Sequence, residues 1–95
     1  MYTKGPSKKL RDLCASLGPE YSIRIIDMEY VIYRDFGNGL DVEISGLDSG
    51  SAHARANIYL WDTKIGTRII DQVNGVPAGS LGDRVNELYY KWCAR

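Results

Sequence analysis

The sequence predicts an α+β domain: an antiparallel meander sheet of four or five strands, with an N-terminal and a C-terminal helix on one face. Three observations carry that expectation. Apolar residues at helical spacing stand near the two ends of the chain, and the middle is rich in Ile, Val, Tyr and alternating patterns that suit strands. The connections between those middle segments are of hairpin length, so consecutive strands are expected to be neighbours. The 95 residues make a single domain over 1–95, with 44% hydrophobic and 25% charged residues, as in an ordinary globule.

The elements follow in order. In SKKLRDLCASLGP, Ser7 is a candidate N-cap, Leu10, Leu13, Cys14 and Leu17 form an apolar stripe, and Gly18-Pro19 stops the helix. YSIRIID and EYVIYRDF read as two strands joined by a tight turn near Asp27–Glu29. Asn38-Gly39 is the strongest local signal, because both positions tolerate the positive φ of a two-residue hairpin turn. LDVEIS follows, with Leu40, Val42 and Ile44 expected inward and Asp41, Glu43 and Ser45 expected on a wet outer face.

In ARANIYLWD, Ala54, Ala56, Ile58 and Leu60 take one face, and Arg55, Asn57, Tyr59 and Trp61 the other. TRIIDQV is a strand of ambiguous facing, since Ile69 and Ile70 are adjacent, and NGVPAG reads as a loop. Ser80 is expected to cap the last helix, with Asp83 at the capping-box position and Leu81, Val85, Leu88 and Trp92 as its stripe. The expected core is Leu10, Leu13, Leu17, Ile23, Ile25, Val42, Ile44, Ile58, Leu60, Val85, Leu88 and Trp92.

Several function classes are disfavoured. Zero net charge argues against a dedicated nucleic-acid binder, whose phosphate contacts need a basic face. No apolar run is long enough for a membrane helix, and MYTKGPSKKL lacks the apolar core of a signal peptide, so a cytoplasmic location is expected. Cys14, Cys93 and His53 lie too far apart in sequence for a zinc pattern, so no metal or cofactor is expected; the two thiols read as buried and free, with a disulfide between the terminal segments as the alternative. Ser49, Ser51 and His53 lack the strand-to-helix elbow of a serine nucleophile. VPAGSLGD lacks the lysine and spacing of a phosphate loop, and the second helix lacks the lysine cluster of a double-stranded RNA-binding domain. Asp41 and Glu43 form an i, i+2 carboxylate pair on one strand face, which in a domain this small reads more simply as a solubilising pair. The chain is therefore expected not to be an enzyme.

The charge is unevenly spread. Residues 1–19 carry four bases (Lys4, Lys8, Lys9, Arg11) and Asp12, a net of +3. Residues 20–48 carry seven acids (Glu20, Asp27, Glu29, Asp35, Asp41, Glu43, Asp48) against Arg24 and Arg34, a net of −5. With seven tyrosines in the chain, this points to a protein-binding face built from Asp27, Glu29, Asp35, Asp41 and Glu43, with Tyr59 and Trp61 on the following strand and Asp62 in the later turn.

One resemblance sharpens the choice of partner. Ser45-Gly46-Leu47-Asp48-Ser49-Gly50-Ser51 follows an alternating strand and precedes a second strand, a turn with Asp62 and Gly66, a third strand and a helix. That order resembles a small prophage-encoded anti-CRISPR family that inhibits Cas9, loosely over residues 40–92 and faintly over Leu10–Ile25. The resemblance implies a non-enzymatic inhibitor whose acidic residues occupy the protospacer-adjacent-motif site of a Cas nuclease in place of DNA. This chain differs from the family in an extra hairpin at 21–37, in lacking an acidic C-terminal extension, and in having Lys64 in the later turn. The competing expectation is a small ligand-binding protein or enzyme that uses the exposed sheet face.

Overall fold

In the computed structural model, which describes residues 5–47, 55–64 and 66–93, the chain runs helix, five strands, helix. Helix α1 spans Lys8–Leu17 and begins where the Ser7 hydroxyl accepts the Leu10 N–H at 3.1 Å. That bond satisfies one of the donors a helix start leaves open. Leu10 and Cys14 go inward, while Lys8, Lys9 and Arg11 stay exposed.

The strands are β1 (Tyr21–Ile26), β2 (Glu29–Gly37), β3 (Leu40–Ser45), β4 (Arg55–Asp62) and β5 (Arg68–Pro77). They form one antiparallel sheet in chain order, each paired with its sequence neighbours. Two tight turns set the register of the first half. Asn38 and Gly39 have φ of 57° and 75°, and Asp27 and Met28 have 50° and 64°. Paired positive φ values give the twist that two-residue hairpins require.

A short 3-10 turn, Ala78–Ser80, leads into α2, Leu81–Trp92. Here the capping expectation is corrected: Ser80 stands at the N-cap with φ −108° and makes no side-chain capping bond. The preceding 3-10 turn delivers the chain into the helix instead, and Asp83 in the first turn still opposes the positive helix end.

One apolar cluster lies between the sheet and the helices. Ile32, Val42, Ile44, Ile58 and Leu60 supply its sheet side, and Leu10, Cys14, Leu81, Val85 and Leu88 its helix side. Leu13, Leu17 and Ile23 are half-buried against it. A Cβ built on Gly82 would lie 3.7 Å from Leu17 Cδ2, so the two helices meet there.

Two expected core residues are not in it. Ile25 is 55% exposed, because it lies near the β1–β2 turn on the edge strand, beyond the cover of the helices. Trp92 is 37% exposed; its indole N–H donates to Asp71 Oδ2 at 2.9 Å, and a wet hydrogen bond holds the ring on the surface. NGVPAG is likewise corrected: residues 74–77 belong to β5, where the ladder shifts register opposite Ala56–Ile58 and Gly75 takes φ 67°. A bulge absorbs the glycine, and Pro77 ends an edge strand where no N–H is needed. A second shift, between Leu60 and Trp61, settles the facing of the adjacent isoleucines: Ile70 packs on the core and Ile69 is exposed.

Candidate functional site

The sheet face away from the helices carries the predicted site, and alternation along each strand decides which residues reach it. Val42, Ile44, Ile58 and Leu60 point into the core, so Asp41, Glu43 and Ser45 of β3 and Arg55, Asn57, Tyr59 and Trp61 of β4 project oppositely. In β2 the same parity selects Glu29, Val31, Tyr33 and Asp35. In β1 it selects Ser22, Arg24 and Ile26.

This face is a hollow, not a flat wet surface. Two adjoining concavities of about 360 Å³ each share Ile26, Asp27, Glu43 and Trp61. Glu29, Ser45, Tyr59 and Ile69 complete one; Arg24, Tyr33, Asp41, Thr63 and Thr67 complete the other. The β1–β2 turn and the start of β5 therefore line one concavity, as the twist of a five-stranded sheet allows.

Glu43 is the residue the sequence misjudged. Expected as a solvated strand-face acid, it is only 8% exposed. The Trp61 indole N–H donates to Glu43 Oε1 at 3.1 Å along the diagonal of the β3–β4 ladder, where Asp41 faces Trp61 and Glu43 faces Tyr59. Among the described residues Trp61 alone bonds this carboxylate. No fully buried side-chain oxygen in the described structure lacks a partner, so Oε2, unbonded among the described residues, keeps some contact with solvent. Burial pushes the Glu43 carboxyl above its ordinary range, the Trp61 bond opposes this, and the charges of Asp27, Glu29 and Asp41 add to the rise.

The neighbouring acids are placed differently from one another. Asp41 Oδ2 accepts the Tyr33 hydroxyl at 2.7 Å, and the Arg24 guanidinium lies 3.7 Å above the Tyr33 ring. Burial first, then the bond to Asp41 and its charge, push the Tyr33 phenol up to about 12. Glu29 Oε2 accepts the Gly46 N–H at 2.7 Å and ties β2 to the exit of β3. Asp35 accepts the Gly37 N–H at 2.8 Å at the rim, next to the irregularity in the β2–β3 pairing. Asp27 occupies the turn and reaches both concavities.

Asp62 stands apart. It pairs with Leu40 on the core-side parity, accepts the Lys64 N–H at 2.9 Å, and lies 3.7 Å from the Arg68 guanidinium. The fold thus brings seven of the eight predicted residues to one face and leaves Asp62 at its edge. Sequence reasoning missed Arg24, Ile26, Tyr33 and Ile69 in the walls; the alternation of β1 was the signal for the first two.

Other chemistry is sparse. Cys14 and Cys93 are free thiols, both pushed up by burial, which keeps them protonated and unreactive at neutral pH. No group of three or more His, Cys, Asp or Glu side chains among the described residues is arranged to hold a metal ion. Among them, too, no helix is long and apolar enough to cross a membrane. The Ser49, Ser51 and His53 positions, with Asp48 and Ala54, lie outside the described residues.

Compared with family models, with curated proteins and with solved structures, the chain finds no match, and its site is read from geometry alone.

Proposed function

We propose that the chain is a non-enzymatic protein-binding module whose concave sheet face receives basic side chains of a protein partner. One observation carries this reading: Glu43 is held nearly buried at the junction of the two concavities, crowded by Asp27, Glu29 and Asp41. Like charges gathered around a desolvated carboxylate repel one another, and an incoming cation relieves that repulsion. The face holds five acids (Asp27, Glu29, Asp35, Asp41, Glu43) against Arg24 and Arg55, so its field favours a basic surface.

The partner class favoured by the anti-CRISPR resemblance is a bacterial defence nuclease of the Cas9 type. Such a nuclease lines its nucleic-acid channel with Arg and Lys, and carboxylates on this face would take the place of phosphates there. The protein itself is then expected to bind no nucleic acid.

The test is a cleavage assay with Cas9-type nucleases. The wild type should inhibit, inhibition should weaken with salt, and Asp27→Asn/Asp41→Asn should inhibit far less while melting almost unchanged. Asparagine at 41 can still accept the Tyr33 hydroxyl, and asparagine at 27 tolerates the turn's positive φ, so the change removes charge alone. Failure of the wild type to inhibit, or equal inhibition by the double variant, overturns the nuclease reading.

A second reading has its own observation. A hollow of about 360 Å³ with aromatic and aliphatic walls falls at the lower end of the size of small-molecule sites. A small ligand would bind without any partner protein, and a ligand screen by thermal shift separates the two.

A further inference from the structure

From the hollow around Glu43 we infer a guanidinium site: it seats an arginine side chain of the protein partner over the Trp61 ring and beside the Glu43 carboxylate that this ring already holds. This rests on the reading of the concave face as a docking surface, and adds which basic group the face selects.

The selection comes from the walls. Glu43 Oε1 is taken by the Trp61 indole N–H, which restrains the carboxylate and leaves Oε2 without a partner among the described residues, yet not fully buried. Asp27 and Glu29 line the same concavity and bring further carboxylate oxygens; Glu29 spends one on the Gly46 N–H and keeps the other. A guanidinium carries five N–H donors in a planar fork and can address several such acceptors at once. Around them stand Tyr59, Trp61, Ile26 and Ile69. An ammonium is a compact, strongly hydrated charge and loses more on entering between aromatic and aliphatic walls. A guanidinium is weakly hydrated and stacks on rings while its edges donate to oxygen.

The molecule already makes this arrangement once. Arg24 lies 3.7 Å above the Tyr33 ring, and the Tyr33 hydroxyl bonds the Asp41 carboxylate at 2.7 Å. The guanidinium, the ring and the acid are thus assembled intramolecularly in the adjoining concavity. Beside it, Trp61 and Glu43 repeat the ring and the acid, joined by the 3.1 Å indole bond, without a guanidinium of the chain's own among the residues lining that concavity.

The experiment follows the Trp61 indole N–H signal by heteronuclear NMR, with Trp92→Phe used to assign it. N-acetyl-argininamide, N-acetyl-lysinamide and N-acetyl-citrullinamide are titrated in turn. Argininamide should move the signal saturably, lysinamide should bind more weakly, and the uncharged citrulline compound should leave it in place. Glu43→Gln, which can still accept the indole N–H, should lose the argininamide response while staying folded. An unmoved signal, equal responses to arginine and lysine, or an undiminished response in Glu43→Gln each overturns the inference. Should the wild type inhibit a nuclease yet ignore argininamide, the guanidinium site falls and the docking surface stands. Should argininamide bind and no nuclease be inhibited, the site stands and the choice of partner falls.

Discussion

The Trp61 indole N–H and the Glu43 carboxylate meet at 3.1 Å across two adjacent strands, and the bond holds an acid in a place that penalises its charge. The consequence for stability has a definite sign. Because the folded Glu43 binds its proton more tightly than the unfolded chain does, its contribution is complete below the ordinary value of 4.5 and is lost as pH rises through the folded value. Glu43→Gln mimics the protonated acid. It should raise the melting temperature at pH 7–8 and leave it nearly unchanged at pH 4, read by circular dichroism. A variant less stable than wild type at pH 8 would show that the carboxylate is structural.

Asp71 gives the opposite sign. The indole N–H of Trp92, first, and the Lys91 ammonium hold its carboxyl below the usual range, against the effect of burial. Its contribution is present above the ordinary value of 3.8 and is lost as pH falls through the folded value. Asp71→Ala removes the tie between β5 and the end of α2 and should cost about 1–2 kcal/mol at pH 7. Urea titrations at pH 7 and in acid should show that cost shrink as pH falls.

The β1–β2 turn carries a removable strain. Met28 sits at φ 64° with 74% of its surface exposed, in a conformation where a side chain has little to gain. Met28→Gly should stabilise the domain by roughly 1 kcal/mol, since glycine adopts positive φ without the Cβ conflict. A lowered midpoint in denaturant would mean that Met28 makes a contact worth more than the strain.

Core substitutions should separate the two kinds of isoleucine. Ile44→Ala and Leu88→Ala empty space between sheet and helices, where both are nearly inaccessible, and should each cost about 2–5 kcal/mol. Ile25→Ala, on the exposed end of β1, should fall within about 0.5 kcal/mol of wild type. Equal losses at Ile25 and Ile44 would contradict the placement of the core.

The architecture was legible because its punctuation is local. Asn38-Gly39 and Gly18-Pro19 mark ends by backbone preference alone, and the alternation of Leu40–Ser45 fixes which side of β3 is buried. Errors arose where tertiary context overrides composition. Gly75 and Pro77 look like a loop in sequence, yet a bulge opposite Asn57 keeps them in β5. The strands place the acids of β2 and β3 on the outer face that alternation assigns them, but Glu43 is buried there and not wet. Periodicity assigns Glu43 a side of the sheet, but says nothing of how sheet twist and the Trp61 ring shelter that side.

The chain-order sheet also governs how quickly the structure can assemble. Each strand's partner is its immediate neighbour, so every ladder closes only the loop between consecutive segments. Hairpins of that kind form in about 1–10 μs, and no ladder waits for distant parts of the chain to find each other. Contacts of much longer range dock the helices, among them the meeting of Leu17 with Gly82, which brings together the two helices from opposite ends of the chain. That contact closes a far longer loop than any hairpin of the sheet, so docking of α1 against α2 should come late. Truncating α1 should then speed unfolding much more than it slows folding.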